Sequence, residues 1–412
     1  MHESARVRVD LVYFNAGGGH RASAQALQQS IADSGRDWDV RLLNLSDALD
    51  PNGKLRRRAF SPESYYNARL AHGLTLGMHA ELRVLQALIQ LLQPSLMRTL
   101  QQYWKRDECP QGSAEPSRGP DLVVSLIPNF NRALCLSLAA AHPGVPYVTV
   151  LTDLADHPPH FWMEPGLPQH VVCGTEHAVA QALAAGIAPA RVHATSGMII
   201  RPDFYRLAEG FDQAASRAAH GLDPKRPTGV VMFGGHGARA MLSIAERLAD
   251  QQLILLCGHN QRLAERLRAL PARAPRLVLG FTQQVADVLR MADYFIGKPG
   301  PGSLSEALHL GLPVVVTRNA WTMPQERYNT QWVRERGFGL VLPSFRQVAD
   351  GVERLLADLP AYRERVAALR NRAVFELPPL LERILRESRD SAQAGADGPL
   401  ALSSAARGVR AG

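Results

Sequence analysis

The 412-residue sequence contains little cysteine, no long apolar run and no apolar leader. Its four cysteines form no Cys-x-x-Cys pair, which excludes a zinc ribbon and a thioredoxin-type redox motif. No stretch of about 18 apolar residues occurs, so we expect no transmembrane helix. The start, Met1–Arg8, is charged and predicts no signal peptide. Scattered cysteines without a leader favour a reduced, cytoplasmic protein.

The composition is that of a globular protein with an excess of positive charge. Hydrophobic residues make up 46% and charged residues 20%, which excludes a disordered or fibrous chain. Lys and Arg total 46 against 38 Asp and Glu, giving a net charge of +8. Such a charge favours polyanionic partners: nucleic acid, an acidic membrane face or phosphorylated substrates. Because no helix-turn-helix, zinc finger or RNA-recognition motif is visible, we predict no nucleic-acid partner.

Apolar runs of strand length alternate with helical patterns along most of the chain. This alternation is typical of α/β folds with parallel sheets covered by helices. The predicted strands are Val7–Phe14, Val40–Leu43, Leu122–Leu126, Tyr147–Leu151, His170–Cys173, Arg191–Thr195, Gly229–Phe233, Leu253–Cys257, Arg276–Leu279, Tyr294–Gly297, Val314–Thr317 and Gly339–Leu342.

Two series of strands each open with a strand that runs into glycines, which predicts two doubly wound domains rather than one domain with appendages. We expect their ligands at the carboxyl ends of the strands, in the cleft between the domains. The predicted divisions are a first domain at 1–200 with an insertion at 54–106, a linker at 201–226, a second domain at 227–375, a helix at 376–389 and a disordered tail at 390–412.

The insertion has an amphipathic, basic pattern over its second part. It allows two interpretations: a helix packed on its own sheet, or a helix lying in a membrane interface. The apolar positions are Leu82, Leu85, Leu88, Ile89, Leu92 and Leu96, accompanied by Arg69, Arg83, Arg98, Lys105 and Arg106.

The first glycine loop, Gly17-Gly18-Gly19, precedes a helix and ends next to His20. Such a loop favours anions, because helix N–H groups point out of it. The loose dinucleotide fingerprint is incomplete, since no acidic residue ends the second strand. A histidine on a loop that faces a cleft is placed to act as a general base; the alternative is a capping or packing histidine.

A second cluster follows the strand that ends at Leu151. Asp153 lies at the same sheet edge as His20, where it would orient the histidine or bind a substrate hydroxyl. With His157 and His160 it also has the spacing of a metal site, but no further ligand cluster is apparent, so we predict none.

The second half carries the densest set of candidate residues. Gly234, Gly235 and Gly237 form a loop suited to phosphate oxygens that lacks the Lys-Ser/Thr end of a Walker motif. Glu306, in the helix after the next glycine-rich loop, suits a ribose diol better than a phosphate. Amide and carboxylate side chains that follow strands read sugar hydroxyls through directional hydrogen bonds. The candidates of this kind are Asn260, Gln325, Glu326 and Asn329. The further candidates in this half are Phe281, Gly302 and Ser303.

Taken together, residues 7–375 resemble GT-B glycosyltransferases of family 28. They are most similar to the monogalactosyldiacylglycerol synthases and processive diacylglycerol glucosyltransferases, relatives of the N-acetylglucosaminyltransferase that completes lipid II. The second half carries this resemblance through Gly297-Lys-Pro-Gly-Pro-Gly-Ser-Leu-Ser-Glu-Ala, Gly311-Leu-Pro and Gln325-Glu-x-x-Asn329. The first half adds Gly17-Gly-Gly-His-Arg-Ala-Ser, Thr152-Asp-Leu with His157 and Phe161-Trp162, and Gly197-x-x-Ile-Arg-Pro-x-Phe204.

The resemblance implies an inverting transfer of a hexose from a UDP-sugar to a diacylglycerol-type lipid. His20 would deprotonate the acceptor, Glu306 would bind the uridine ribose and Phe281 would lie at the uracil. Gly234, Gly235 and Gly237 would hold the diphosphate, with Gly302 and Ser303 at the α-phosphate. Gln325, Glu326 and Asn329 would contact the donor sugar and nucleotide.

Helix N-termini and backbone N–H groups can stabilise the leaving diphosphate, so no metal or other cofactor is expected. A DxD motif, Asp37-Trp38-Asp39, lies before the second strand, away from the glycine loops, and is interpreted as a solvated turn. Together with the basic insertion, the resemblance predicts a peripheral enzyme at an anionic surface, the inner face of the cytoplasmic membrane.

Two departures from the family pattern leave the donor sugar open. His236 stands where the galactolipid enzymes usually have a small residue, and Met323-Pro324 replaces Pro-Gly before Gln325. The alternatives are a UDP-sugar epimerase or hydrolase of GT-B fold, a transferase acting on another acceptor, or a nucleotide-sugar-binding module without catalysis.

Overall fold

The structure, a computed structural model, describes residues 6–15, 19–50, 78–105, 119–207 and 210–396. Several predicted features lie outside these residues: Gly17 and Gly18, the first part of the insertion, and the tail from 397 onwards.

Two six-stranded parallel sheets organise the described chain, in the orders β2-β1-β3-β4-β5-β6 and β12-β11-β10-β7-β8-β9. The predicted α/β class is thereby confirmed, and each predicted strand is present with its ends within two residues. The strands are β1 Val7–Tyr13, β2 Trp38–Asn44, β3 Leu122–Ser125, β4 Tyr147–Val150, β5 Gln169–Cys173, β6 Val192–Ala194, β7 Thr228–Met232, β8 Gln252–Leu256, β9 Arg276–Leu279, β10 Tyr294–Gly297, β11 Val314–Thr317 and β12 Gly339–Leu342.

Helices cover both faces of the sheets. In β7, Val230 and Val231 are fully buried in separate apolar clusters, because successive side chains of a strand point to opposite faces. The helices are α1 Gly19–Asp33, α2 Leu45–Leu49, α3 Met78–Lys105, α4 Asn131–Ala141, α5 Glu176–Ala184, α6 Gln213–Ala219, α7 Ala240–Arg247, α8 Gln261–Ala269, α9 Val285–Arg290, α10 Pro301–His309, α11 Arg327–Arg336, α12 Val348–Ala357, α13 Leu359–Ala367 and α14 Ala373–Ala396.

The chain passes between the two sheets twice. The predicted linker at 201–226 is partly helical, and buried Arg217 of α6 anchors it to the second half through Asp293 at 2.6 Å. Helix α14 returns to the first sheet, where Ser30 Oγ donates to the Val374 carbonyl at 2.7 Å. This helix begins at Ala373 and continues to Ala396, seven residues past the helix end predicted at 389.

The two halves also touch beside the cleft. His177 of α5 stacks on Tyr328 of α11, with ring centroids 4.2 Å apart, and Arg336 bonds Glu176 at 3.1 Å. These contacts join helix α5, which follows β5 of the first sheet, to helix α11 of the second half.

Helix α3 is buried on one side only. Leu100 and Trp104 near its end are buried, and Trp104 Nε1 donates to Ser137 Oγ of α4 at 3.0 Å. Its first half exposes large apolar side chains at Val84, Leu85, Leu88, Leu91 and Leu92. The second half therefore packs on its own domain, whereas the first half presents an apolar face. Among the described helices, none has the length and apolarity needed to cross a bilayer.

Candidate active site

His20 is the second residue of α1, directly after the loop at the carboxyl end of β1. Its Nδ1 lies 3.0 Å from Thr152 Oγ1, and its ring centroid is 5.9 Å from that of Trp162. Burial lowers the pKa of His20 to about 4, although a hydrogen bond with the Leu126 backbone opposes the shift. The imidazole is therefore neutral near neutral pH and can accept a proton.

Asp153 is 6% exposed and accepts a hydrogen bond from Trp162 Nε1 at 2.9 Å. Burial raises the pKa of Asp153 to about 7; Glu326 adds to the rise, while the Trp162 hydrogen bond and the Lys298 charge oppose it. The idea that Asp153 orients His20 is not what the structure shows, because Thr152 makes that contact. The Asp153 carboxylate is instead bonded to Trp162, whose ring lies beside that of His20.

The segment between β4 and β5 is organised by a second carboxylate, Asp156. It accepts the backbone N–H groups of His160 at 3.0 Å and Trp162 at 2.7 Å. Across the described ranges, no three His, Cys, Asp or Glu side chains gather as a metal site would require. Sequence reasoning missed Asp156, although an aspartate before a turn is a common organiser of backbone N–H groups.

The loop after β7 exposes its backbone. Gly234 and Gly237 have φ values of 70° and 59°, a region that disfavours side chains. A Cβ at Gly237 would lie 2.7 Å from Leu263 Cδ2, and one at Gly258 would collide with the Gly235 carbonyl. Gly235 and His236 remain exposed, so main-chain groups are available to an anion.

Three rings line the edge beside this loop. His259 stacks on Phe281, with centroids 4.2 Å apart and planes 17° apart, and His236 lies 5.8 Å from His259. Phe281 is 57% exposed, which leaves ring surface open to a planar base.

Asn260 and Asn329, both predicted to contact the nucleotide-sugar, hydrogen-bond to neighbouring main-chain groups. Asn260 caps α8 by accepting from Leu263 N at 3.0 Å, and its Nδ2 donates to the His236 carbonyl at 3.3 Å. Asn329 is fully buried and donates to the Pro299 carbonyl at 2.8 Å. Gln325 makes only a weak contact, with its Nε2 3.8 Å from Met323 Sδ.

Lys298 is the main residue that sequence reasoning missed. Its Nζ lies 2.8 Å from Glu326 Oε1; Glu326 is 3% exposed, whereas the Lys298 side chain is 35% exposed. A Cβ on Gly300, which precedes α10, would lie 3.5 Å from Nζ. The sequence feature that could have identified Lys298 is its position as a single cation within the glycine- and proline-rich loop before a helix. The pair lies beside the residue that precedes α10, and both of its charges act on Asp153.

Helix α10 places Gly302 and Ser303 in its first turn and Glu306 one turn later. A side chain at Gly302 would meet no atom within 4 Å, so this turn is open. Burial raises the pKa of Glu306 to about 7, with the Arg201 charge opposing. Among the described residues, none forms a hydrogen bond with the Glu306 carboxylate, which suits a group that receives a ligand.

We expect Glu306→Gln to stabilise the protein at alkaline pH. The folded pKa of about 7 exceeds the ordinary 4.5, so the folded state binds the proton more tightly. Stability relative to a neutral side chain therefore falls as pH rises between these values. Thermal unfolding should show that the variant has a free energy of unfolding about 1–2 kcal/mol above that of wild type at pH values above the folded pKa. At pH values below the ordinary pKa of a glutamate, the difference should be small. Exposed Glu335→Gln is the control; equal gains at both pH values would contradict the argument.

Residues 229–374 match the glycosyltransferase family 28 C-terminal domain. The chain is 27% identical over 381 residues to a probable monogalactosyldiacylglycerol synthase 2 of Oryza sativa subsp. japonica, covering 85% of this chain and 74% of the relative. It is 28% identical over 301 residues to the processive diacylglycerol beta-glucosyltransferase of Bacillus subtilis, covering 69% and 74%. Residues 229–374 thus resemble a family 28 C-terminal domain, and the protein is a hexosyltransferase.

Solved structures support the fold of this hexosyltransferase. MurG of Acinetobacter baumannii matches with a TM-score of 0.54 and 13% identity, covering 92% of this chain and all of that one. The calicheamicin glycosyltransferase CalG4 matches with a TM-score of 0.57 and 16% identity, covering 96% and 100%. The predicted GT-B architecture is confirmed.

The matched domain of the hexosyltransferase holds only part of the candidate site. The loop after β7, Phe281, α10 and Glu326 lie within 229–374, whereas His20 and Asp153 lie outside it. The candidate nucleotide-sugar residues therefore lie in the matched domain, and the candidate base His20 lies in the other half.

Proposed function

We propose that the hexosyltransferase moves a hexose from a UDP-sugar to a diacylglycerol-type lipid, with inversion, at an anionic membrane surface. The observation that carries this proposal is His20: a neutral imidazole, held by Thr152, at the cleft edge of the half opposite the family 28 domain. The names of the relatives, which act on diacylglycerol or form galactosyldiacylglycerol, support the acceptor class.

On the donor side, we assign the diphosphate to the Gly234–Gly237 loop and to the first turn of α10 at Gly302 and Ser303. Backbone N–H groups and the helix dipole stabilise negative charge there. The uracil would lie on Phe281 and the ribose diol on Glu306. Gln325 and the Lys298–Glu326 pair would contact the hexose, since a buried, ion-paired carboxylate is a fixed acceptor for sugar hydroxyls.

In the proposed reaction, His20 Nε2 takes the proton of the acceptor hydroxyl. The acceptor oxygen forms a bond to the anomeric carbon from one face, while the bond from that carbon to the UDP oxygen breaks on the other. The electron pair leaves with UDP, and the charge that develops on the diphosphate is stabilised by the loop and helix N–H groups. This step requires the tautomer in which Nδ1–H donates to Thr152 Oγ1 and the lone pair lies on Nε2.

The exposed face of α3 would bring the lipid to this site. Leu82 of α3 packs against the cluster that contains Phe161 and Trp162, and Trp162 contacts His20. A buried apolar cluster therefore connects Leu82 of α3 to the ring beside the proposed base. Exposed Arg83 and Arg98 supply positive charge for anionic headgroups.

We expect Leu91→Asp to weaken vesicle binding. Leu91 is 76% exposed, and losing one buried leucine costs about 1.5–3 kcal/mol, or roughly ten- to a hundredfold in partitioning. Flotation with phosphatidylglycerol-containing vesicles measures the effect. Leu183→Asp, an exposed leucine on α5, is the matched control. Unchanged binding by Leu91→Asp, or an equal loss in Leu183→Asp, would remove α3 as the docking face.

The function is tested by UDP release from UDP-glucose, UDP-galactose and UDP-N-acetylglucosamine, each with and without diacylglycerol in anionic vesicles. Lipid-dependent release with one donor supports the proposal and identifies the sugar. Release that ignores lipid would favour a hydrolase or epimerase. Absence of release with every donor would overturn the diacylglycerol assignment and favour another acceptor.

A further inference from the structure

Two histidine side chains lie together at the loop to which we assign the diphosphate. His236 belongs to the Gly234–Gly237 loop after β7, and His259 lies in the loop after β8. Their ring centroids are 5.8 Å apart, with the planes tilted by 45°, and both residues are exposed. Because β7 and β8 are adjacent parallel strands, the two loops meet at the same edge of the second sheet.

Hydrogen bonds to main-chain carbonyls tie these two loops to each other. The His259 N–H donates to the Gly235 carbonyl at 2.9 Å, and Asn260 Nδ2 donates to the His236 carbonyl at 3.3 Å. Gly258 approaches so closely that a Cβ there would collide with the Gly235 carbonyl. The backbones therefore place both histidines, and replacing either imidazole removes none of these hydrogen bonds.

The protein itself does not use the polar atoms of these two rings. In the part of the chain that the structure describes, no hydrogen bond or ion pair involves a ring nitrogen of His236 or His259. His220 and His142, by contrast, each contact a main-chain carbonyl through a ring nitrogen at 2.8 Å. A neutral imidazole has one N–H donor and a protonated one has two. The loops thus present at least two N–H donors that lack an acceptor.

His259 also contacts the ring to which we assign the uracil. It stacks on Phe281 with centroids 4.2 Å apart and planes 17° apart. The ring contacts therefore run in the order Phe281, His259, His236. A nucleoside diphosphate has the same order of chemistry, with a flat base at one end and the anionic diphosphate at the other.

We infer that the side chains of His236 and His259 bind the diphosphate of the donor, in addition to the main-chain groups of the loop. The inference rests on the proposed function, in which the donor is a UDP-sugar. Hydrogen bonds from an imidazole to a phosphate are charge-assisted and therefore among the stronger ones. Since His236 is one of the two departures from the family pattern, this chain would hold its donor through a contact that a small residue cannot supply.

Calorimetric titration with UDP and with uridine tests the inference without an acceptor or turnover. We expect His236→Ala to weaken UDP binding about tenfold and to leave uridine binding unchanged, since uridine has no phosphate. His236→Lys, which keeps a cation at this position, should restore most of the affinity for UDP. The matched control is His220→Ala, which removes an exposed histidine that lies in neither loop.

A variant of His259 separates the phosphate contact from the ring stack. His259→Phe keeps a ring on Phe281 but has no N–H donor, so UDP binding should weaken about tenfold while uridine binding is retained. UDP affinity equal to wild type in both His236→Ala and His259→Phe would overturn the inference and leave the donor assignment intact. An equal loss of UDP and uridine affinity, or an equal loss in His220→Ala, would also overturn it. If the wild type binds neither UDP nor uridine, the proposed donor is wrong and the inference falls with it.

Discussion

Replacing His20 by alanine should lower the turnover of lipid-dependent UDP release by about 10²–10⁴-fold, the usual contribution of a general base. The loss is expected in kcat rather than in donor affinity, because His20 lies on the half opposite the family 28 domain. Initial rates with the preferred donor and saturating lipid vesicles measure it. A variant that retains more than about a tenth of the wild-type rate would exclude His20 as the base.

The matched control for this prediction is Thr152→Val, which keeps the shape beside His20 and removes the hydroxyl at 3.0 Å from Nδ1. Without that partner the imidazole loses the hydrogen bond that orients its ring, so we expect a smaller loss, of about tenfold. Thr152→Ser should restore most of the rate.

The pH profile separates His20 from Asp153. Since the pKa of His20 is about 4, its protonation should not reduce the rate at mildly acidic pH. The pKa of Asp153 is about 7, so a limb that falls as pH drops through this value would report Asp153. In Asp153→Asn this limb should vanish. Persistence of the limb would assign it to another group, Glu306 being the alternative.

The regular part of the fold could be predicted because it depends on local pattern. Buried parallel strands such as β7 and β10 are mostly apolar runs, β10 ending at Gly297 and β7 followed closely by Gly234, and the sequence shows them directly. The end of α14 could not be predicted in this way. Its last residues are small and polar and look disordered by composition, yet alanine has the highest helix propensity and continues a helix that Leu381 and Ile384 anchor to the first sheet.

The candidate site was predictable in residue type but not in partners. Thr152 meets His20 across 132 residues, and Lys298 meets Glu326 across 28, so no local pattern pairs them. The direction of a side chain depends on the phase of its helix. Asn329 is the third residue of α11 and lies on its buried side, where its amide supports the Pro299 turn. An amide residue that follows a strand therefore indicates a candidate site, but the sequence does not show the direction in which its side chain points.

The second large loss of activity is expected on replacing Lys298. We expect Lys298→Met to reduce kcat/KM by about 30–100-fold, because it leaves the buried Glu326 carboxylate without its cation. Full loss of a buried partner costs about 3–5 kcal/mol; the partial exposure of Lys298 lowers this to about 2–3 kcal/mol. Thermal unfolding should show the same destabilisation, and donor titration should show weaker binding.

The double variant Lys298→Met with Glu326→Gln separates folding from function. Removing both charges leaves no unpaired ion, so stability should return to near that of wild type. Activity should not return, since neither the fixed carboxylate nor the cation beside α10 remains. A double variant that regains both would reduce the pair to a structural contact. A single Lys298→Met variant with unchanged stability and donor affinity would show that the pair does not organise the donor site at all.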